Sequence, residues 1–159
     1  MNQLYCPPFK RLPRPTTSTM WNTPSLTELT RLPRLHTTKN IPTAEKVVGV
    51  HFFTPTIAYY MVEYCPKKQR FFGYSIVNFD FENSKWEYFS FNKMKKMKFQ
   101  NRSHGLYHEI INSYMAFKWI EIEYNSCWTP KKIKDIPYII KAHKIQGLDY
   151  LLKTPLVDL

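Results

Sequence analysis

The runs KVVGVHFF (46–53), IAYYMVEY (57–64), QRFFGYSIVNF (69–79) and KWEYFSF (85–91) decide how this chain is read. The stretch from Lys46 to Phe91 that holds them carries 14 of the 26 aromatic residues. Their aromatic and β-branched content suits a pleated, half-buried surface. Thr54-Pro55, Cys65-Pro66-Lys67-Lys68 and Glu82-Asn83-Ser84 separate them with turn chemistry. The expected fold is therefore α+β: a small, mainly antiparallel sheet of four or five strands with short flanking helices. Gly49 and Gly73 lie inside strand patterns, where a glycine marks a bulge or a close backbone approach. A sheet needs a packed face, so most of Phe53, Tyr60, Val62, Phe72, Tyr74, Ile76, Trp86 and Tyr88 are expected to be structural.

On the N-terminal side, Ser25 and Glu28 have capping-box spacing, so a short helix is expected there, ended by Pro33. Pro42 precedes the first strand. Ser90 is placed to cap a lysine-rich turn or helix over 92–98. On the C-terminal side, Leu106, Ile110, Tyr114 and Phe117 recur at helical intervals, and Lys118 to Tyr124 alternates as a fifth strand would. Thr129-Pro130 reads as a helix start, with a stop before Pro137. The expected organisation is an arm over 1–23, one domain over 24–137 with an insertion near 99–117, and a tail over 138–159 with a docked helix near Leu148 to Leu152.

With 159 residues there is room for one core. The formal charge of +11 comes from 17 Lys and 6 Arg against 12 acids, and favours nucleic acid, an anionic membrane surface or an acidic partner. A plainer cause competes. Phe, Tyr, Met, Ile, Asn and Lys supply 66 residues and Gly, Ala, Arg and Pro only 26, the skew of an AT-rich gene. Cys6, Cys65 and Cys127 form neither a CxxC nor a zinc-ligand spacing, which points to a reducing compartment. No apolar stretch reaches the roughly 18 residues of a membrane span. A soluble intracellular protein is expected, cytoplasmic or organellar. The first 27 residues contain no acid, and Pro7, Pro8, Pro13 and Pro15 forbid the amphipathic helix of a transit peptide. A basic, disordered arm is the expectation, with a targeting segment as the alternative.

The order of small motifs resembles a known family. Leu32, Pro33 and Leu35 close the first helix, and Ile41 and Pro42 precede the first strand. Phe52, Phe53 and Pro55, then Glu63 and Tyr64, Phe72 and Gly73, and Tyr88, Phe89 and Ser90 complete the series. Over residues 25–95, with a weaker echo at 121–136, this order resembles domain of unknown function 2958. The resemblance implies a small α+β domain, common in bacteria and mobile elements, and implies no biochemical role. The chain departs from the family pattern at Cys65 and Glu87, at Lys93, Lys95 and Lys96, and at Ile122-Glu123.

The candidates for chemistry are few. His104 and His108 stand four apart like paired metal ligands, but HGLYH lacks the glutamate of a zinc protease motif and a third ligand. No metal or other cofactor is expected. Glu63, Glu121 and Glu123 would converge only if their strands were neighbours, and no nucleophile or phosphate loop accompanies them, so no catalytic residue is assigned. Lys93, Lys95, Lys96, Lys98 and Arg102 form the densest basic run, directly after an aromatic sheet. Exposed rings there can stack unpaired bases while lysines contact phosphate. A basic run without a base-reading signature favours backbone contact without sequence choice. The alternative is a protein-interaction or assembly subunit of a larger particle, such as an organellar ribonucleoprotein.

Overall fold

The computed structural model describes residues 23–100 and 119–155. Its centre is a five-stranded antiparallel sheet in the order β5-β4-β3-β2-β8. The strands are β2 (Val50–Phe53), β3 (Ile57–Cys65), β4 (Arg70–Val77), β5 (Lys85–Ser90) and β8 (Glu123–Tyr124). The four aromatic runs thus form the expected meander, and the chain later returns to lay β8 beside β2. Two ribbons complete the strands: β1 (Val47–Val48) pairs with β9 (Lys131–Lys132), and β6 (Lys98–Gln100) with β7 (Trp119–Glu121).

Both faces of the sheet are packed. Val50, Phe52, Tyr59, Met61, Tyr64, Phe71 and Phe89 share a cluster with Leu29 and Leu32 of the α1 end of the chain, where α1 spans Leu26–Arg31. The same cluster holds Phe91 and Met94 of α2 (Phe91–Met94) and Ile122. On the other face Tyr60, Val62, Phe72, Tyr74, Ile76 and Trp86 meet Ile139 and Ala142 of α3 (Pro137–Ile145). Alternation along each strand sends successive side chains to opposite faces.

That alternation is interrupted once. Between Met61 and Glu63 the β3–β4 register shifts: Met61 faces Gly73, Glu63 faces Phe72, and Val62 is the extra residue. A β-bulge of this kind re-aims the side chains that follow it. Glu63 is thereby turned onto the face of Phe72 instead of the face of Met61. Gly73 lies opposite the bulge because the backbones come too close for a side chain, and a Cβ there would sit 2.1 Å from the Tyr60 carbonyl oxygen. Gly49 separates β1 from β2 under Leu32, where a Cβ would meet the Leu32 Cδ2 at 2.5 Å.

The capping box at Ser25 and Glu28 is formed: Ser25 N–H donates to Glu28 Oε2 at 2.7 Å and Glu28 N–H to Ser25 Oγ at 3.2 Å. Other expectations are corrected. The helix after Ser90 stops at Met94, and Lys98 lies in a strand. The strand over 118–124 breaks at Ile122, because β7 pairs with β6 while β8 pairs with β2. Thr129-Pro130 starts no helix. Lys131 and Lys132 pair with Val48 and Val47, Ile133–Asp135 forms a 3-10 turn, and Pro137 begins α3 at the position where its missing N–H costs nothing.

The docked helix expected near Leu148 to Leu152 is a 3-10 turn over Asp149–Leu152. The chain beyond 137 is tied back to the domain. Thr43 N–H donates to the Thr154 carbonyl at 3.0 Å, and Gln146 Nε2 donates to the Ser84 carbonyl at 2.6 Å. Nearly all of the arm over 1–23, most of the insertion near 99–117, Arg102, His104 and His108 lie outside the described residues.

Candidate nucleic-acid interface

In an antiparallel meander the C-terminal end of β3, the N-terminal end of β4 and the C-terminal end of β5 fall at one end of the sheet. Arg70 pairs with Ser90, and Phe91 N–H donates to the Gln69 carbonyl at 2.8 Å, so the 66–69 turn lies against the start of α2. Tyr64 N–H donates to the Pro33 carbonyl at 2.8 Å, which brings the loop after α1 to the same end. Three segments are joined in this way: 29–44, 64–72 and 88–98. None contains an aspartate or glutamate. Arg34, Lys67, Lys68, Arg70, Lys93, Lys95 and Lys96 are all exposed there.

Four of the five basic residues singled out from sequence are thus placed. Lys93 lies in α2, and Lys95 follows it with its ammonium 4.2 Å from the centre of the Phe91 ring. Lys96 is exposed, and Lys98 faces Glu121 at 3.9 Å in an exposed ion pair of small energetic weight. In the sequence Lys67 and Lys68 read only as a connection between strands. Strand pairing, which runs from Arg70–Ser90 inward, makes them neighbours of the Lys93 segment.

Beneath this end lies a buried polar network that the bulge creates. Glu63 is 3% exposed and accepts from His36 N–H at 2.7 Å, Thr38 N–H at 2.8 Å and Thr38 Oγ1–H at 2.5 Å. Lys46, 1% exposed, donates to Thr38 Oγ1 at 3.1 Å and to the Thr38 carbonyl. Thr38 therefore relays between the two charges. Burial pushes the Lys46 ammonium below its ordinary value, and the Glu63 charge opposes that shift. The network fastens the 33–42 loop over the sheet. It holds His36 at φ 70, with its ring centre 6.0 Å from that of Tyr88. Arg70 lies over the same Tyr88 ring, 5.6 Å from its centre.

The opposite end of the sheet is different in kind. His51 stacks on Tyr60 at 4.7 Å and on Phe53 at 5.7 Å, with Trp128 tilted against it at 4.7 Å. Cys127 N–H donates to Asn125 Oδ1 at 3.1 Å, which orients the amide so that Nδ2 donates to His51 Nδ1 at 3.2 Å. The imidazole proton is then on Nε2, which is buried with no partner among the described residues. Burial, aided by the Lys131 charge, lowers the His51 pKa to about 4 and keeps the ring neutral. A cavity of about 240 Å³ lies alongside, walled by Phe53, Ile76, Phe79 and Tyr138. His51 itself lines this cavity, with its Nε2 buried.

A second cleft of about 330 Å³ at the β4–β5 hairpin holds Ser75, whose hydroxyl donates to Glu87 Oε1 at 2.5 Å. Among the described residues no imidazole lines that cleft to serve the pair as a base. Glu63, Glu121 and Glu123 do not converge. Glu63 is buried on β3, Glu121 is exposed and faces Lys98, and Glu123 is exposed beside Phe53 on the far side of β2. Among the described residues no three His, Cys, Asp or Glu side chains group as metal ligands, and no helix is long and apolar enough to cross a membrane. Comparison with family models, curated proteins and solved structures finds no match.

Proposed function

We propose that this chain binds nucleic acid through its phosphate backbone, without catalysis and without sequence choice, at the basic end of its sheet. One observation carries the reading: three acid-free segments, distant in sequence, are hydrogen-bonded together and expose Arg34, Lys67, Lys68, Arg70, Lys93, Lys95 and Lys96. The nearest buried acid, Glu63, is already matched by Lys46 through Thr38, so it does not cancel this surface charge. Each phosphate neutralised releases condensed counterion, and affinity then falls steeply with salt. Among the described residues Cys65 and Cys127 form no disulfide, in line with a reducing compartment for such a protein. The order of motifs over 25–95 is taken as architectural kinship with domain of unknown function 2958, which leaves the role open.

The test is retention on single- and double-stranded nucleic acid across a salt series. Wild type is expected to bind at low salt with little dependence on base sequence. Glutamine at Lys67, Lys68, Lys93 and Lys96 should shallow the log–log salt slope by roughly 0.7–0.9 per lost phosphate contact. The fold should persist, since all four side chains are exposed. Absence of retention at low salt overturns the reading, and partners that survive nuclease treatment would replace it with the assembly-subunit alternative.

A further inference from the structure

Of the eight sheet residues expected to be structural, six are buried and two, Phe53 and Tyr88, are only partly so. Phe53 is stacked at the His51 end. Tyr88 lies at the basic end, on the edge strand β5, opposite Phe72. Its ring centre lies 5.0 Å from that of Phe72, and the exposed Arg70 guanidinium lies over the ring, 5.6 Å from its centre. His36 closes the side, with Nδ1 3.4 Å from the Tyr88 hydroxyl.

These three side chains come from a loop and two strands, and each is held by backbone structure. Arg70 and Tyr88 are diagonal neighbours on one face of the β4–β5 pair. His36 has a left-handed backbone that few non-glycine residues adopt, and Glu63 holds it by accepting its N–H. That hold exists because the bulge at Val62 turns Glu63 to this face. Uncommon backbone geometry, maintained by a buried network, places a flat cation over a flat ring amid lysines.

We infer that Tyr88, Arg70 and His36 form a stacking platform for an unpaired base, so that the ligand of the basic end is single-stranded nucleic acid. This rests on the nucleic-acid reading above and narrows it. Every base has a π-face, so stacking on tyrosine and guanidinium adds affinity without reading sequence. In a duplex the base faces are occupied by their neighbours and do not reach the ring. Lysines of the 66–69 turn and α2 contact the phosphates on either side of the stacked base.

The experiment is fluorescence anisotropy with a labelled oligothymidylate and with a duplex of equal length, at one low salt concentration. Wild type is expected to prefer the single strand by about tenfold. Tyr88→Phe should keep that preference, whereas Tyr88→Leu, which retains apolar packing on Phe72, should lose it and leave duplex binding unchanged. Arg70→Lys keeps the charge but not the plane, and should also weaken the single strand selectively. Equal binding of single strand and duplex with a normal salt slope overturns the platform alone. Equal losses for both ligands in Tyr88→Leu or Arg70→Lys, or no loss in either variant, also overturn it. Absence of all binding by wild type overturns both the platform and the reading beneath it.

Discussion

The buried Glu63 and the half-buried His51 are polar side chains placed toward opposite ends of one sheet, and the chain accommodates them by opposite means. Glu63 is surrounded by donors: two backbone N–H groups, a hydroxyl, and through that hydroxyl a buried ammonium. His51 is surrounded by rings, with one nitrogen held by Asn125 and the other unpartnered among the described residues. A buried charge requires a complete set of partners, whereas a group that can shed its charge tolerates an apolar wall. The charged arrangement lies under the basic surface and shapes it. The neutral one lines an aromatic cavity.

The largest expected effect breaks the charged side. Glu63→Ala strands three donors and an uncompensated ammonium, for a loss of about 3–5 kcal/mol in urea unfolding. Adding Lys46→Met to it should recover part of that loss, because the remaining charge is removed with its partner. Strictly additive losses would show that the two groups do not sense each other.

The bulge that aims Glu63 can be attacked from its other strand. Gly73→Ala forces a Cβ onto the Tyr60 carbonyl oxygen, which belongs to rigid backbone, and should cost about 3 kcal/mol. Gly49→Ala meets only the tip of Leu32 and should cost about 1 kcal/mol or less. Equal costs in thermal or urea unfolding would mean that the bulge relaxes freely, and the special geometry of this end would lose its basis.

The smallest effect sharpens the neutral side. The folded-state pKa of His51, about 4, lies below its ordinary 6.5, so the unfolded chain binds more protons between those values. His51 therefore contributes its full stability above pH 6.5, and this is lost as pH falls toward 4. Roughly 1 kcal/mol should be gone by about pH 5.5. His143 is shifted down by burial in the same direction and adds to the slope. His51→Phe should flatten the pH dependence of the unfolding midpoint. An unchanged profile would remove His51 as its source.

Much of the fold was legible because its signals are local. The alternation in IAYYMVEY, the turn chemistry of Cys65-Pro66-Lys67-Lys68 and the Ser25–Glu28 capping box each rest on neighbours a few residues apart. The Lys93 to Lys98 part of the candidate site was legible as a charge run. Its other half was not, because Lys67, Lys68 and Arg70 become its neighbours only through the β4–β5 pairing. The error at Thr129-Pro130 has a similar cause. Both that proline and Pro137 suit the first position of a helix, and pairing of Lys131 and Lys132 with β1 gives the position to the second.

By itself the sequence determined the period of each segment: which runs are strands, where turns must fall, and that the chain carries a large positive charge. Those properties follow from the geometry of single residues and of pairs close along the backbone. Tertiary structure alone decided that Val62 is the residue the register leaves over, and so which face Glu63 occupies. It also joined Lys46 to Thr38, and set His36, Arg70 and Tyr88 beside one another. Each of these depends on how two strands slide relative to one another, and a shift of one residue exchanges every side chain between the faces of a sheet.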